Sequence, residues 1–213
     1  MPHIPDALLL IASDCSHCPA MLEHLSKLLK KGNLSRLEVI NISVKPEVAQ
    51  EMGVKSIPWY SIGGFAFTGL MSYQELSERL EQISTGSGKA DYLIYLLETR
   101  NLQDAVGLLK EQPSLLVELI PLLGDLSQPM AVRIGIGALI EELAESPALE
   151  YAQTPLQQLT LSTESQVRAD AAHYLGICGD PAAIPMVRVL LDDDNPEVSE
   201  IAAETLALLH DKP

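Results

Sequence analysis

The first 83 residues alternate between strand-like and helix-like patterns of apolar positions. Residues 7–12 form a continuous apolar run, which is typical of a strand buried on both faces. A helix is predicted from about Cys18 to Lys31, because apolar residues recur there at helical spacing: Met21, Leu22, Leu25, Leu28 and Leu29. Gly32 lies just beyond the basic end of this helix, where a glycine commonly ends one.

The next elements continue this alternation. We predict a strand over residues 37–44, a short helix over 46–52, and a hairpin that pairs 59–62 with 65–68 around Gly63-Gly64. Ser72 opens the last helix, and its spacing to Glu75 is that of a capping box, which satisfies two amides at the helix start reciprocally. The order strand-helix-strand-helix-hairpin-helix predicts an α/β domain with a four-stranded mixed sheet and helices on its faces.

The second half of the chain has no strand pattern and repeats itself. Three valines align at spacings of 35 and 31 residues, and matching residues follow at the fourth, fifth and eighth positions. The aligned sets are Val132, Val167 and Val198; Ile136, Ala171 and Ala202; Gly137, Ala172 and Ala203; and Ile140, Leu175 and Leu206. Units of this length, with small residues where helices cross, are typical of stacked helical hairpins. We predict an all-α superhelix, with a clear repeat over residues 129–209 and a weak one over 90–126.

The two halves meet at a small, polar segment. Residues 84–89 contain two glycines and follow a helical pattern that ends near Ile83. We place the boundary there, with an α/β domain over residues 1–85 and an all-α repeat domain over residues 90–213.

The net charge of −15 is unevenly distributed between these halves. Up to Lys89 there are 8 Lys or Arg against 9 Asp or Glu, and from Ala90 onward there are 6 against 20. An acidic surface repels phosphate backbones and anionic lipid, so we expect no nucleic-acid or membrane binding, whereas a basic protein partner would be attracted. Acidity that serves solubility alone is an equally open interpretation.

The candidate chemistry is a pair of cysteines at the start of the first helix, in Asp14-Cys15-Ser16-His17-Cys18-Pro19. Backbone amides and the positive end of the helix dipole stabilise a thiolate on Cys15 at this place. Cys18 lies one turn further in, close enough to form a disulfide but shielded. We therefore expect Cys15 to be the attacking sulfur and Cys18 the resolving sulfur in thiol-disulfide exchange.

Three neighbours of the cysteines are candidates for tuning the dithiol: His17, Asp14 and Ser16. An imidazole at His17 adds a donor near the Cys15 sulfur and is expected to lower the pKa of that thiol further. A His17 that is simply solvated at the helix start is the structural alternative. Asp14 acts in the opposite direction, by like-charge repulsion of a thiolate.

The element order and the cysteine motif resemble a minimal thioredoxin domain, without the extra N-terminal strand and helix of full-length thioredoxins. Lys55-Ser56-Ile57-Pro58-Trp59 is similar to the Ile-Pro segment of thioredoxins, whose proline is cis and faces the dithiol. The resemblance implies that backbone groups of Ile57 pair with an extended client segment. An ordinary trans proline is the structural alternative for Pro58, and Trp59 either contacts the client or fills the sheet.

Two related families refine this resemblance. Glutaredoxins share a Val-Pro at the proline position but hold glutathione with acidic residues after the hairpin, whereas residues 69–76 here resemble the thioredoxin pattern Gly-x-x-Ser. This favours thioredoxin-like over glutathione-dependent chemistry. Periplasmic disulfide oxidases of the Dsb type are similar to this chain in having His immediately before the second Cys. Asp14 replaces the Trp that usually precedes the first Cys of thioredoxins, so their reduction potential does not transfer.

The repeats of the second half also resemble a known family. Residues 167–176 and 179–185 are similar to HEAT repeats, particularly the short variant of phycobilisome lyases. The resemblance implies a HEAT-like superhelix that recognises proteins by shape, while the fold leaves the partner unspecified.

Other chemistry finds less support. No Gly-rich nucleotide fingerprint is present, so we expect no flavin or nicotinamide, and a separate protein or thiol must donate or accept the electrons. Structural zinc needs about four ligands, and Cys15, Cys18, His17 and His24 supply too few with the right reach. Cys178, alone on a repeat helix, is expected to be a buried small hydrophobe, with a regulatory thiol as the alternative.

Neither a signal peptide nor a membrane anchor is visible, so we expect a reducing, cytoplasmic location. The leading hypothesis is a thiol-disulfide oxidoreductase whose Cys15/Cys18 dithiol acts on a disulfide or thiol of a protein client, while the helical repeats dock that client or a partner. One alternative is a redox-sensitive adaptor that binds through its acidic helices without turnover. A scaffold with a redundant thioredoxin fold is another. The motif leaves the direction of electron flow open.

Overall fold

The computed structural model describes residues 4–85 and 88–211. Contacts within the chain divide it into two compact units, Met1–Tyr92 and Leu93–Pro213. The first unit is α/β and the second is all-α, which confirms the predicted fold class.

The elements of the first unit follow the predicted order. They are β1 (Asp6–Ile11), α1 (Cys18–Lys30), β2 (Arg36–Asn41), α2 (Pro46–Glu51), β3 (Trp59–Ile62), β4 (Phe65–Thr68) and α3 (Tyr73–Thr85). β2 is shorter than predicted, because Asn41 starts a turn. Its side-chain oxygen accepts the N–H of Ser43, and its backbone oxygen accepts those of Val44 and Lys45.

The four strands form one mixed sheet in the order β2-β1-β3-β4. The central strand β1 runs parallel to β2 and antiparallel to β3, which forms a hairpin with β4. Gly63 and Gly64, between β3 and β4, have φ of 58° and 90°, the left-handed conformation that a two-residue hairpin turn requires. The predicted hairpin and its turn are therefore confirmed.

One face of the sheet holds the core of this unit. Its side chains alternate along the strands and are almost completely buried: Ala7, Leu9, Tyr60, Ile62 and Phe67. Helix α1 contacts β1, β2 and α3, and it buries Met21, Leu25 and Leu28. On the opposite face Leu10 is completely buried, whereas Leu8, Ser61 and Ala66 are half-buried.

The capping box at the start of α3 is present. The N–H of Ser72 donates to the carboxylate of Glu75 at 2.8 Å, and the N–H of Glu75 donates to Oγ of Ser72 at 3.2 Å. These bonds satisfy two amides at the helix start, as the spacing predicts.

The segment predicted as a linker is largely helical where it is described. Gly86 and Ser87 lie outside the described residues, but Ser84 belongs to α3 and Lys89 belongs to α4 (Gly88–Glu98). A Cβ on Gly88 would lie 2.9 Å from the backbone of Gln82. At Gly88 the small residue therefore permits close approach to α3.

The second unit begins within α4, and pairs of helices follow it. These are α5 (Leu102–Glu111), α6 (Leu116–Leu119), α7 (Met130–Glu142), α8 (Glu150–Leu159), α9 (Ser165–Cys178), α10 (Ile184–Val189) and α11 (Pro196–Asp211). Short 3-10 turns precede α6, α8 and α10 and follow α6 and α10.

Burial confirms the predicted repeat. Val132, Val167 and Val198 each occupy the third position of α7, α9 or α11, and each is buried. The residues four positions later are fully buried in all three helices. At the fifth position Gly137 and Ala172 are buried, whereas Ala203 of the last helix is exposed.

The repeat extends into the region where its sequence pattern is weak. Pro113, Pro147 and Pro181 are spaced by 34 residues, and each opens a 3-10 turn that leads into the second helix of a pair. The residues two positions later, Leu115, Leu149 and Ala183, are buried in every case. The pair α5 and α6 is therefore a further unit of the same kind.

Arginines join consecutive repeat units. Arg168 donates to both carboxylate oxygens of Asp193 at 2.7 Å and to the carbonyls of Ser162 and Thr163. Arg133 lies 3.7 Å from Asp170 and donates to the carbonyl of Leu123. Each arginine thus links the segment before its own helix to the following unit.

Candidate active site

Cys15 and Cys18 form a disulfide where the chain passes from β1 into α1, and their Cα atoms are 5.5 Å apart. Cys18 is the first residue of α1, and Pro19 follows it. Proline is favourable there, because the first N–H groups of a helix have no partner within the helix. The N–H of Cys18 donates to Sγ of Cys15 at 3.1 Å. One amide of the helix start is therefore directed at the sulfur of Cys15.

The two cysteines differ in accessibility. Cys15 is half-buried, whereas Cys18 is 3% exposed. Asp14, Ser16 and His17 are all exposed around them. His17 is the residue that precedes α1, and its side chain makes no hydrogen bond that caps the helix.

Pro58 lies at the same end of the sheet as the cysteines. The Ile57–Pro58 peptide bond is cis. Because Trp59 pairs with Leu10 in the register of β1 and β3, Pro58 is level with Ile11, four residues before Cys15. Pro58 is buried, and Ile57 and Trp59 are half-buried, so the Trp59 ring is neither fully enclosed nor fully exposed.

The backbone groups of Pro58 and Ile57 differ in their hydrogen bonding. The carbonyl of Pro58 accepts the N–H of Gly69 at 2.8 Å, which fixes residues 69–71 beside it. Within the described part of the chain, the N–H and C=O of Ile57 make no hydrogen bond. These are the groups that an added strand would use.

Three polar residues that sequence reasoning missed hold the turn before Cys15. The N–H of Ser13 donates to Oγ of Ser43 at 3.1 Å, and the side-chain amide of Asn41 donates to Oγ of Ser13 at 3.4 Å. β1 and β2 are parallel, so the turns after them meet at one edge of the sheet. Polar residues immediately after two parallel strands were the available signal.

A second missed contact ties α1 to the segment beside Pro58. A ring nitrogen of His24 lies 3.0 Å from the carbonyl of Met71, and the N–H of Met71 donates to the sulfur of Met21 at 3.4 Å. The helix that begins with Cys18 is thereby joined to the loop that bonds Pro58. Nothing in the sequence spacing of His24 indicates this contact.

The described residues contain no group of three or more His, Cys, Asp or Glu arranged to hold a metal ion. Among them, no helix has the length and apolar character needed to cross a membrane. Cys178 is half-buried at the end of α9, outside the disulfide.

Two family models match the chain. One is described as a thioredoxin domain and matches residues 8–81, and the other is described as HEAT repeats and matches residues 116–207. No curated protein matches the chain. The first range runs from β1 into α3 and contains both cysteines and Pro58, and the second runs from α6 into α11.

Proposed function

Since the chain joins a thioredoxin domain to HEAT repeats, we propose that it is a thiol-disulfide oxidoreductase that acts on protein clients. The observation that supports this most directly is the geometry of the cysteines. An amide at a helix start points at the sulfur of Cys15, and Cys15 is the more accessible of the two residues, while Cys18 is shielded. An N–H donor and the helix dipole both stabilise a thiolate on Cys15.

The proposed cycle consists of two thiol-disulfide exchange steps. The Cys15 thiolate attacks one sulfur of a client disulfide and forms a mixed disulfide, and the other client sulfur leaves as a thiolate. Cys18, after losing its proton, attacks Sγ of Cys15 and releases the second client sulfur. The client gains two electrons, and the dithiol becomes the Cys15–Cys18 disulfide. The same steps in reverse oxidise a client dithiol.

A separate thiol or dithiol protein must exchange these two electrons with the chain between cycles. A reducing compartment such as the cytoplasm suits the cycle, because a close pair of cysteines persists there as a working dithiol.

The residues beside the dithiol are proposed to receive the client. Ile57 offers a backbone N–H and C=O to an extended client segment, next to Pro58, and Trp59 contributes a half-exposed ring. His17, Asp14 and Ser16 are proposed to tune the couple, with His17 favouring the Cys15 thiolate and Asp14 opposing it.

The HEAT repeats are proposed to dock the client or a partner. Docking raises the effective concentration of the dithiol at the client's cysteines without any change in chemistry. The excess of acidic residues in the second half suits a basic protein surface.

Trapping of mixed disulfides tests the proposal. Cys18→Ser should accumulate mixed disulfides through Cys15, because the resolving step is removed. Cys15→Ser should accumulate none, and Cys178→Ser should behave like the unmodified chain. Reduction of a disulfide-bonded model protein, measured in parallel, should be lost in both Cys15→Ser and Cys18→Ser.

Absence of both trapped clients and disulfide reduction in the unmodified chain would refute the oxidoreductase. A redox-sensitive adaptor would instead show a large difference in partner affinity between the reduced and oxidised chain, with no turnover.

A further inference from the structure

The second helices of the repeats carry apolar residues at two equivalent positions, and five of these six residues are exposed. Four residues after Pro113, Pro147 and Pro181 stand Val117, Tyr151 and Pro185, and all three are exposed. One helical turn further stand Pro121 and Val189, which are exposed, and Pro155, which is buried. Val117 is 49% exposed, Tyr151 is 45% exposed and Val189 is 71% exposed. We name these six residues the apolar ladder.

Part of the apolar ladder surrounds a cavity. Val117 and Pro121 from α6 and its following turn, with Tyr151 and Pro155 from α8, line a cavity of about 280 Å³. Thr154 and Gln158 add polar groups to its wall. A few apolar contacts with a small number of polar groups is the composition of a site that takes a side chain. Contiguous exposed apolar residues at regular positions commonly mark an interaction surface.

The charge around the cavity is negative. Glu150 lines it, and Glu118 is exposed beside Val117. Of the described residues that line the cavity, none is basic. Arg133 and Arg168, two of the six basic residues in this half, are engaged by Asp170 and Asp193. Arg188 of α10 lies exposed between Pro185 and Val189, outside the lining of the cavity.

We infer that the apolar ladder docks an extended segment of the client, in which apolar residues alternate with Lys or Arg. An apolar side chain of that segment enters the cavity between α6 and α8, and its basic residues lie opposite Glu118 and Glu150. This inference rests on the proposed function, since it names the surface by which the repeats hold the client.

Peptide binding to the full chain tests it. The probe is a labelled, cysteine-free decapeptide in which Leu and Pro alternate with Lys; in one matched peptide Glu replaces Lys, and in the other Ser replaces Leu. The first peptide should bind at micromolar concentration, and both matched peptides should bind about tenfold more weakly or worse. Tyr151→Ser and Val117→Ser should each weaken binding about fivefold.

Charge variants separate this surface from general acidity. The double variant Glu118→Lys and Glu150→Lys should weaken binding of the Lys peptide about tenfold and reverse the preference toward the Glu peptide. Glu204→Lys, exposed on α11, makes the same kind of charge change away from the apolar ladder and should have less than about a twofold effect. Circular dichroism verifies that each variant is folded.

Equal binding of the three peptides, or unchanged binding by the apolar-ladder variants, would overturn the inference. So would a concentration-dependent dimer in sedimentation that Tyr151→Ser abolishes, because the surface would then join two copies of this chain. Because the peptides lack cysteine, their binding is independent of redox chemistry. Specific peptide binding by a chain that neither traps clients nor reduces disulfides would refute the oxidoreductase and support this surface. Trapping that is unchanged by the apolar-ladder variants, without specific peptide binding, would support the oxidoreductase and refute this surface.

Discussion

The hydroxyl of Tyr92 lies 3.0 Å from both the backbone nitrogen and the backbone oxygen of Ala66. It accepts the N–H and donates to the C=O. Ala66 belongs to β4, an edge strand, whose unpaired backbone groups would otherwise be open to another chain. The Tyr92 ring also packs edge-on against Phe65 and Phe67. The start of α4 therefore belongs to the α/β unit. This agrees with the boundary between the two compact units, which lies after Tyr92.

Tyr92→Phe is expected to weaken this edge while keeping the ring contacts. Loss of the two hydrogen bonds should lower the free energy of unfolding by about 1–2 kcal/mol and speed hydrogen exchange of the Ala66 amide. Urea denaturation and amide exchange measure the two effects. Tyr151→Phe, on an exposed ring of α8, is the matched control. Unchanged exchange at Ala66 would show that the hydroxyl does not protect the strand.

Gly137→Ala is expected to disturb the contact between two repeat units. A Cβ at this position would collide with the hydroxyl of Tyr174 on α9 and come within 3.0 Å of its ring. Overpacking of this kind lowers the free energy of unfolding by about 1–3 kcal/mol. Adding Tyr174→Phe should recover part of that lost stability. Gly107→Ala is the control, because a Cβ there meets nothing within 4 Å, and replacing an interior helix glycine should stabilise α5 by about 0.5–1 kcal/mol. Thermal unfolding of the three variants checks this ordering.

Local signals made most of the fold predictable. The apolar run of β1, the Gly63-Gly64 turn and the Ser72–Glu75 capping box each act within a few residues, and each is present in the structure. The repeat of the second half was predictable where its buried positions hold similar residues. The proline spacing that begins at Pro113 was readable too, but the residues between those prolines differ from unit to unit.

Contacts that depend on packing were not predictable. Tyr92 reaches Ala66 only because α4 packs beside β4. His24 meets Met71 only because the turns of α1 place it beside the loop after β4. Residues 84–89 have a flexible composition, yet Gly88 permits close packing against α3, which composition alone does not reveal. The cysteine pair could be located from its motif, while Asn41 and Ser43 beside it required the sheet register.

His17→Ala is expected to make the dithiol more reducing. Loss of a donor beside the Cys15 sulfur should shift the equilibrium with glutathione about threefold to tenfold toward the disulfide, where a tenfold change corresponds to about 30 mV. Alkylation of Cys15 at pH 6 should slow in the same variant. His173→Ala, exposed on α9, is the control. An unchanged equilibrium would mean that His17 is only a solvated residue at the helix start.

Asp193→Asn is expected to remove part of the acid sensitivity of the repeats. Hydrogen bonds from Arg168 and from the N–H of Asn195 hold the pKa of Asp193 below its usual value. A lowered pKa in the folded state gives stability that is present above the unfolded value of about 4 and is lost as the pH falls through the folded value. Urea midpoints between pH 5 and pH 3 should therefore fall less steeply in Asp193→Asn than in the unmodified chain. Asp194→Asn, an exposed neighbour, should retain the full slope.

Asp170→Asn is expected to change the pH dependence of stability in the opposite direction to Asp193→Asn, although Asp170 also faces an arginine. Burial raises the pKa of Asp170, and the charges of Arg133 and His173 offset this only in part. A raised pKa means that the folded state favours the protonated acid, so stability is lost as the pH rises through the folded value. Removal of the charge should therefore raise the urea midpoint slightly at pH 7, with a gain that shrinks as the pH approaches 4. A lower midpoint at pH 7 would show that the ion pair with Arg133 at 3.7 Å outweighs the burial of the carboxylate.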